Sequence, residues 1–154
     1  MGDDDIGSIQ DESFARATHA TASSYPPERR LTASQLAGYL DRRAFAVIGS
    51  ARPDGRPHAA MSAYTRRGTC FWLPTVAGSI RERNARAHPW LTMTVAEGDR
   101  EEHVAVLIEG PVVIVPLDEV PADIRGTVGD WAQAWLRLDA ARVFSYASQG
   151  VLPG

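Results

Sequence analysis

The sequence predicts a mainly β protein of the α+β type, a small closed or partly closed antiparallel barrel with peripheral helices. Three observations carry this. The chain has 154 residues, enough for one domain. Short apolar runs are separated by tight turns at 53–55 (P-D-G) and 66–68 (R-R-G) and by a charged stretch at 97–102. Turns that short join antiparallel neighbours, because parallel strands need a long crossover. Finally, helical periodicity is confined to a few segments between the runs.

Residues 1–30 read as a polar, flexible arm and residues 31–150 as the folded domain. The arm carries Asp3, Asp4, Asp5, Asp11 and Glu12. Their offsets do not match a calcium loop. Tyr25-Pro26-Pro27 turns the chain into the domain. Thr32 and Gln35 then stand three apart as a capping box, with Leu31 and Leu36 in hydrophobic-staple positions. Leu36, Tyr39 and Leu40 form the apolar face of a helix that ends near Arg42 or Arg43.

Residues 44–51 form a first strand. In the turn that follows, Pro53 fixes φ, Asp54 caps locally and Gly55 accepts positive φ. Residues 58–64 return as a second strand, with His58, Ala60, Ser62 and Tyr64 outward and Ala59, Met61 and Ala63 inward. A third strand, 69–73, carries Phe71 and Trp72. A loop of Pro74, Thr75, Gly78 and Ser79 leads into a helix at 80–87, with Ser79 as N-cap and Pro89 as stop. Residues 90–96 and 104–115 are strands, and Gly110-Pro111 marks a kink in the second. Trp131, Trp135 and Leu138 fall at i, i+4 and i+7, which predicts helix within 118–138. Residues 142–146 form a last short strand.

Composition removes whole classes of chemistry. All 16 basic residues are arginine. Without a lysine there is no Schiff-base enzyme, no pyridoxal phosphate aldimine and no lysine-bearing nucleotide phosphate loop. The formal net charge is −3, and five of the acids lie in the first twelve residues. The rest is therefore close to neutral, which does not suit a nucleic-acid binder. Cys70 is the single cysteine and fits a reducing cytoplasm. No secretory signal and no run of membrane-spanning length is present. His19, His58, His88 and His103 show no paired metal spacing, so no metal site is expected.

The stretch 73–86, L-P-T-V-A-G-S-I-R-E-R-N-A-R, is the richest in chemistry. It sets two hydroxyls, a glycine and an arginine at the start of a helix, where unpaired N–H groups and the positive dipole end suit an anion. Thr75 and Ser79 can donate, Arg81 can grip a phosphate bidentately, and Gly78 allows close backbone approach. Arg83 and Arg86 read as surface residues. His58 could contact a ligand, and Trp72 or Trp135 could line a pocket. No catalytic acid, base or nucleophile is evident, which fits a protein that leaves the chemistry to a phosphorylated cofactor.

The runs G-R-P-H-A-A-M-S-A-Y (55–64) and F-W-L-P-T-V-A-G-S-I-R-E-R-N-A-R-A-H-P (71–89), with an apolar strand ending E-G (109–110), resemble the pyridoxamine 5′-phosphate oxidase-like FMN-binding split-barrel family. A-A-R-V-F-S-Y (140–146) is similar to its last barrel strand. The resemblance implies a six-stranded antiparallel split β-barrel that forms a homodimer, with two cofactor sites at the interface. It implies FMN, with Ala60, Met61, Ser62 and Ala63 along the ring and ribityl chain. Pro74, Thr75, Ser79, Ile80 and Arg81 match the phosphate positions. Arg81 stands where the family often has lysine, Ala60 where it has an arginine, and Ala105 where a glutamine touches the flavin. The ending S-Y-A-S-Q-G-V-L-P-G lacks the family's arginine- and histidine-bearing substrate segment, so oxidation of pyridoxamine phosphate itself is not expected.

The leading expectation is a flavin-dependent oxidoreductase passing hydride between flavin and an unknown small molecule. The alternatives are a reductase of the same fold using the 8-hydroxy-5-deazaflavin coenzyme, and a non-catalytic flavin- or haem-binding protein.

Overall fold

The computed structural model describes residues 3–149. Two helices open the chain, α1 (Asp3–Ala15) and α2 (His19–Ser24), followed by a 3-10 turn at Pro27–Arg29 and by α3 (Ala33–Arg42). Then come β1 (Phe45–Ala51), β2 (Pro57–Ala63), β3 (Thr65–Arg67) and β4 (Cys70–Thr75). Helix α4 (Ile80–Ala87) precedes β5 (Trp90–Asp99) and β6 (Glu102–Val115). A 3-10 turn at Leu117–Glu119 and the short α5 (Ala122–Arg125) lead to β7 (Ala134–Asp139) and β8 (Arg142–Ala147).

The strands run in the order β2-β1-β5-β6-β7-β4-β3, and β8, off this path, pairs with β6 over Val104–Glu109. Every pairing is antiparallel. The long β6 serves both halves. It pairs with β5 as far as Pro111 and with β7 from Val112 onward. The change of partner falls at Gly110-Pro111, where the sequence predicts a kink. The sheet does not close by hydrogen bonds. Its two end strands, β2 and β3, are successive in the chain and meet at Tyr64. The Tyr64 hydroxyl donates to the Leu40 carbonyl at 2.5 Å, and its N–H donates to the Ala44 carbonyl. The result is a split, antiparallel barrel of the expected class.

The interior follows from alternation. Leu91, Met93 and Val95 on β5 are fully buried, while Trp90 and Thr92 face out. They pack with Ile48, Phe71, Leu73, Val106, Ile108, Leu136 and Val143. Each such side chain contributes roughly 1.5–3 kcal/mol on burial. A second, smaller cluster of Trp72, Val115, Val120, Ile124 and Trp135 lies under the segment between β6 and β7.

Four expectations are corrected. Residues 1–30 are not a flexible arm over the described part. Ile6 is fully buried, and Gly7 lies so close to Ala33 that a side-chain carbon there would come within 2.4 Å of the Ala33 Cβ. Gln10 donates to the Leu31 carbonyl at 2.8 Å and accepts from Ser145, while Ser13 accepts from the Val143 N–H at 3.0 Å. Helix α1 thus covers the outer edge of β8, whose unpaired N–H groups would otherwise need water. On β2 the faces are reversed: Ser62 and Tyr64 are buried, and Met61 is 64% exposed. Residues 65–67 are a strand rather than part of a turn, with Thr65 opposite Trp72. In the 118–138 segment, Trp135 and Leu138 lie on β7 between β4 and β6, not on a helix. Pairing on both edges overrides the chance helical spacing of the two residues. The expected domain end at residue 150 lies outside the described residues. Among the described residues, no helix is long and apolar enough to cross a membrane.

Candidate functional site

The loop after β4 is built as its residues dictate. Gly78 has φ +76, a conformation that favours glycine, and this swings the chain into α4. Ser79 is the N-cap, its hydroxyl oxygen accepting from the Glu82 N–H at 3.1 Å. That bond uses a lone pair and leaves the hydroxyl proton available. The N–H groups of Ile80 and Arg81, first in the helix, have no intrahelical acceptor. Asn84, 1% exposed, donates to the Ser50 hydroxyl at 3.0 Å and fastens α4 to β1.

Arg81 is the anomaly. Its Nε and Nη1 are buried and have no hydrogen-bond partner, and Nη2 makes only a long 3.4 Å contact with the Pro74 carbonyl. Burial pulls the guanidinium below its ordinary pKa. No carboxylate pairs with it among the described residues. A desolvated cation with two unmet donors is expensive to keep, and such a group fits an incoming anion. A phosphate, with several oxygens that accept from donors pointing in different directions, would satisfy them.

The other predicted residues are placed as follows. Thr75 ends β4 and is 4% exposed. Strand β2 packs beside β4. The fold therefore brings the two predicted segments together. It does not make all four β2 side chains line one pocket. Ala60 and Ser62 face inward, Met61 faces out, and the Ser62 hydroxyl donates to the Ala63 carbonyl at 2.8 Å. Ala105 on β6 lies between Ala96 and Tyr146.

Of the nine residues predicted to hold the cofactor, only Ile80 lines one of the four clefts described among these residues. The β2 segment instead contributes Met61 to an open apolar face. Phe45, Val47, Met61 and Trp90 are 59%, 43%, 64% and 45% exposed, and Val47 is directly opposite Met61. His58 lies in a separate cleft with His88 and Trp90. Trp72 lines a cleft of about 590 Å³ with Cys70, Arg137 and Asp139, whereas Trp135 is buried. Burial and hydrogen bonding to Asp139 push the Cys70 thiol up, which makes it a poor nucleophile. Sequence reasoning missed a third cleft, where Arg83 faces Arg52 and Arg56 across Ile80 and Asn84. Only the contact of α4 with the β1–β2 hairpin reveals it.

Comparison with known proteins adds the following. A sequence family described as pyridoxamine 5′-phosphate oxidase matches residues 32–148. No curated protein matches the chain. A conserved hypothetical protein from Mycobacterium tuberculosis is similar in structure, with TM-score 0.71, 20% identity, and 84% of this chain and 94% of that chain covered. An FAD-binding protein from Mycobacterium smegmatis gives TM-score 0.64 and 16% identity over 78% of this chain and 98% of that one. A haem storage protein from Vibrio cholerae gives TM-score 0.64 and 13% identity over 73% and 93%.

Proposed function

The chain belongs to the pyridoxamine 5′-phosphate oxidase family, and from that membership we propose that it is a flavin-binding oxidoreductase that takes FMN at the end of β4. The observation that carries the reading is the half-buried Arg81 guanidinium at the start of α4, whose Nε and Nη1 are buried without a partner. Arg81 Nε and Nη1 would donate to the ribityl phosphate, joined by the hydroxyls of Thr75 and Ser79 and by the Ile80 and Arg81 N–H groups. Pro74 and the backbone of Ala60, Met61, Ser62 and Ala63 would flank the ribityl chain and ring. When bound, the flavin supplies hydride exchange with a small molecule, and the protein supplies position, charge and exclusion of water.

The exposed Phe45–Val47–Met61–Trp90 face supports a homodimer in this reading. An apolar patch of this kind on a folded chain marks an interaction surface. It adjoins the β2 segment, so a second copy docked there by two-fold symmetry would wall the ring side of each site. The lone Cys70 accords with a reducing cytoplasm.

The test is uptake and turnover. Protein incubated with FMN and gel-filtered should retain the flavin's visible absorbance. In a single-turnover reduction by NAD(P)H, the bound flavin should bleach and be reoxidised by an added acceptor. Bleaching with transfer to no acceptor tried would favour the carrier reading, and no retained flavin would refute both.

A further inference from the structure

The outer face of β4 carries a cleft that the proposed flavin position does not use. It encloses about 590 Å³ at the Cys70 end of β4, the opposite end from Thr75, and none of the nine residues predicted to hold the cofactor lines it. Cys70 and Trp72 stand two apart on one strand and so share a face. Val120 and Ile124, from the segment after β6, pack on Trp72, whereas Cys70 lies outside that cluster. Trp72, Ile124 and Pro121 thus give the cleft an apolar side, and the Cys70 thiol lies beside it.

Two ion pairs complete the lining. Arg67 and Asp139 lie in the row of Cys70, one strand away on each side, which sets their backbones roughly 10 Å apart. Arg67 Nη2 is 2.5 Å from Asp123 Oδ2, a contact that ties the β3–β4 hairpin to α5 and fixes one wall. On the other wall, Arg137 Nε donates to Asp139 Oδ1 at 2.9 Å and Nη2 donates to Oδ2 at 3.3 Å. The Cys70 thiol donates to the same Oδ1 at 3.2 Å. Arg137 stands directly opposite Trp72, its guanidinium 6.0 Å from the ring centre. The Arg67 hydrogen bond holds the Asp123 carboxyl below its ordinary pKa, and the Asp139 hydrogen bond holds Arg137 above its own, so both pairs are charged at neutral pH. Two guanidiniums and two carboxylates leave the lining neutral. A multivalent anion would meet both carboxylates, and a polyamine would meet both guanidiniums. The lining instead matches a ligand that carries one charge of each sign side by side.

We propose that this cleft binds an aromatic α-amino acid. The ring lies against Trp72, Ile124 and Pro121, where offset or edge-on ring contacts are favourable. The α-carboxylate accepts from Arg137, whose Nη1 has no partner among the described residues, and the α-ammonium donates to Asp139. The dipole of the ligand is then antiparallel to that of the Arg137–Asp139 pair. The volume is within the range of small-molecule pockets, roughly 300–1,000 Å³. The inference stands on this cleft alone and does not depend on the flavin.

The experiment uses Cys70, the only cysteine of the chain, as a reporter inside the cleft. The full chain is alkylated with iodoacetamide and followed by mass spectrometry. Each rate is read as a ratio with and without L-phenylalanine, L-tryptophan, 3-phenylpropionate, phenethylamine or L-alanine. The last three each lack one of the three contacts: the ammonium, the carboxylate and the ring. Phenylalanine and tryptophan should slow the labelling, half-maximally at concentrations at least about fivefold below those of any of the three fragments. Isothermal titration calorimetry should give the same order of affinity. In Arg137→Gln, phenylalanine should lose its advantage over phenethylamine, with the circular dichroism of the protein unchanged. The inference is overturned if neither amino acid protects Cys70, if a fragment protects as well as phenylalanine, or if a folded Arg137→Gln keeps the native preference. If that variant does not fold, the ranking of ligands on the native chain decides.

Discussion

Replacing Arg81 with methionine keeps an unbranched apolar stem and removes the guanidinium, with its charge and donors. Its consequences differ in sign for binding and for stability. Nε and Nη1 are buried without partners, and the third nitrogen reaches only the Pro74 carbonyl at 3.4 Å. A hydrogen bond from a charged group contributes about 1.5–3 kcal/mol, so Arg81→Met should weaken FMN binding by roughly 10–150-fold. The ligand-free protein should respond the other way. It loses a desolvated cation whose unmet donors cost about 1–3 kcal/mol, so its stability should be unchanged or higher by up to roughly 1 kcal/mol. Saturating FMN should restore the order, because ligand at about 100 times its dissociation constant adds about 2.7 kcal/mol to the native protein. The assay is a flavin fluorescence titration paired with urea unfolding of each protein, with and without FMN. Equal affinity, or a ligand-free variant that unfolds more easily than the native chain, would refute the assignment and make Arg81 a structural residue.

Met61→Asp, opposite Val47 on the exposed apolar face, should convert a dimer to monomer in analytical ultracentrifugation and weaken FMN binding at least about tenfold; a dimer unaffected by the charge would remove that face as the interface. Gln10→Ala leaves the Leu31 carbonyl and Ser145 without their partner, and should lower unfolding free energy by about 1–3 kcal/mol in urea. Little or no loss would mean that α1 is not held to β8 as described. Burial, with Glu97 nearby, raises the Tyr39 hydroxyl to about 12. Because that pKa is above the unfolded value, its contribution is fully present below pH 10 and lost as pH climbs toward 12. The loss should be on the order of 1–2 kcal/mol. Stability measured across that range should fall less steeply in Tyr39→Phe than in the native chain, and parallel curves would count against it.

Local chemistry in the sequence was sufficient where neighbours in the chain decide the structure. The capping box is formed in full, with Thr32 accepting from the Gln35 N–H and the Gln35 side chain accepting from the Thr32 N–H. Asp54 accepts from the Arg56 N–H in the hairpin turn, and α4 runs over the predicted residues with Ser79 as its cap. What was illegible depended on distant partners. Helix α1 is polar along much of its length, and only β8 and Ala33, more than a hundred and about thirty residues away in places, give Ile6, Gln10 and Ser13 somewhere to bury. Trp135 and Leu138 satisfy helical spacing and strand pairing alike, and β4 and β6 choose the strand. The faces of β2 were reversed because His58, Ser62 and Tyr64 are more polar than Met61. The open face nevertheless took the methionine, as the side that borders the apolar patch. For the site, residue types pointed to Arg81 as a candidate for holding a phosphate. Only the three-dimensional structure reveals that its donors are buried and unmet, and that Arg83 faces Arg52.

The most direct test of a phosphate-anchored flavin compares FMN with riboflavin, which differs only in lacking the phosphate. The account predicts that the native chain binds FMN at least about tenfold more tightly, and that Arg81→Met erases the difference by weakening FMN alone. Equal affinity for FMN and riboflavin in the native chain would contradict it.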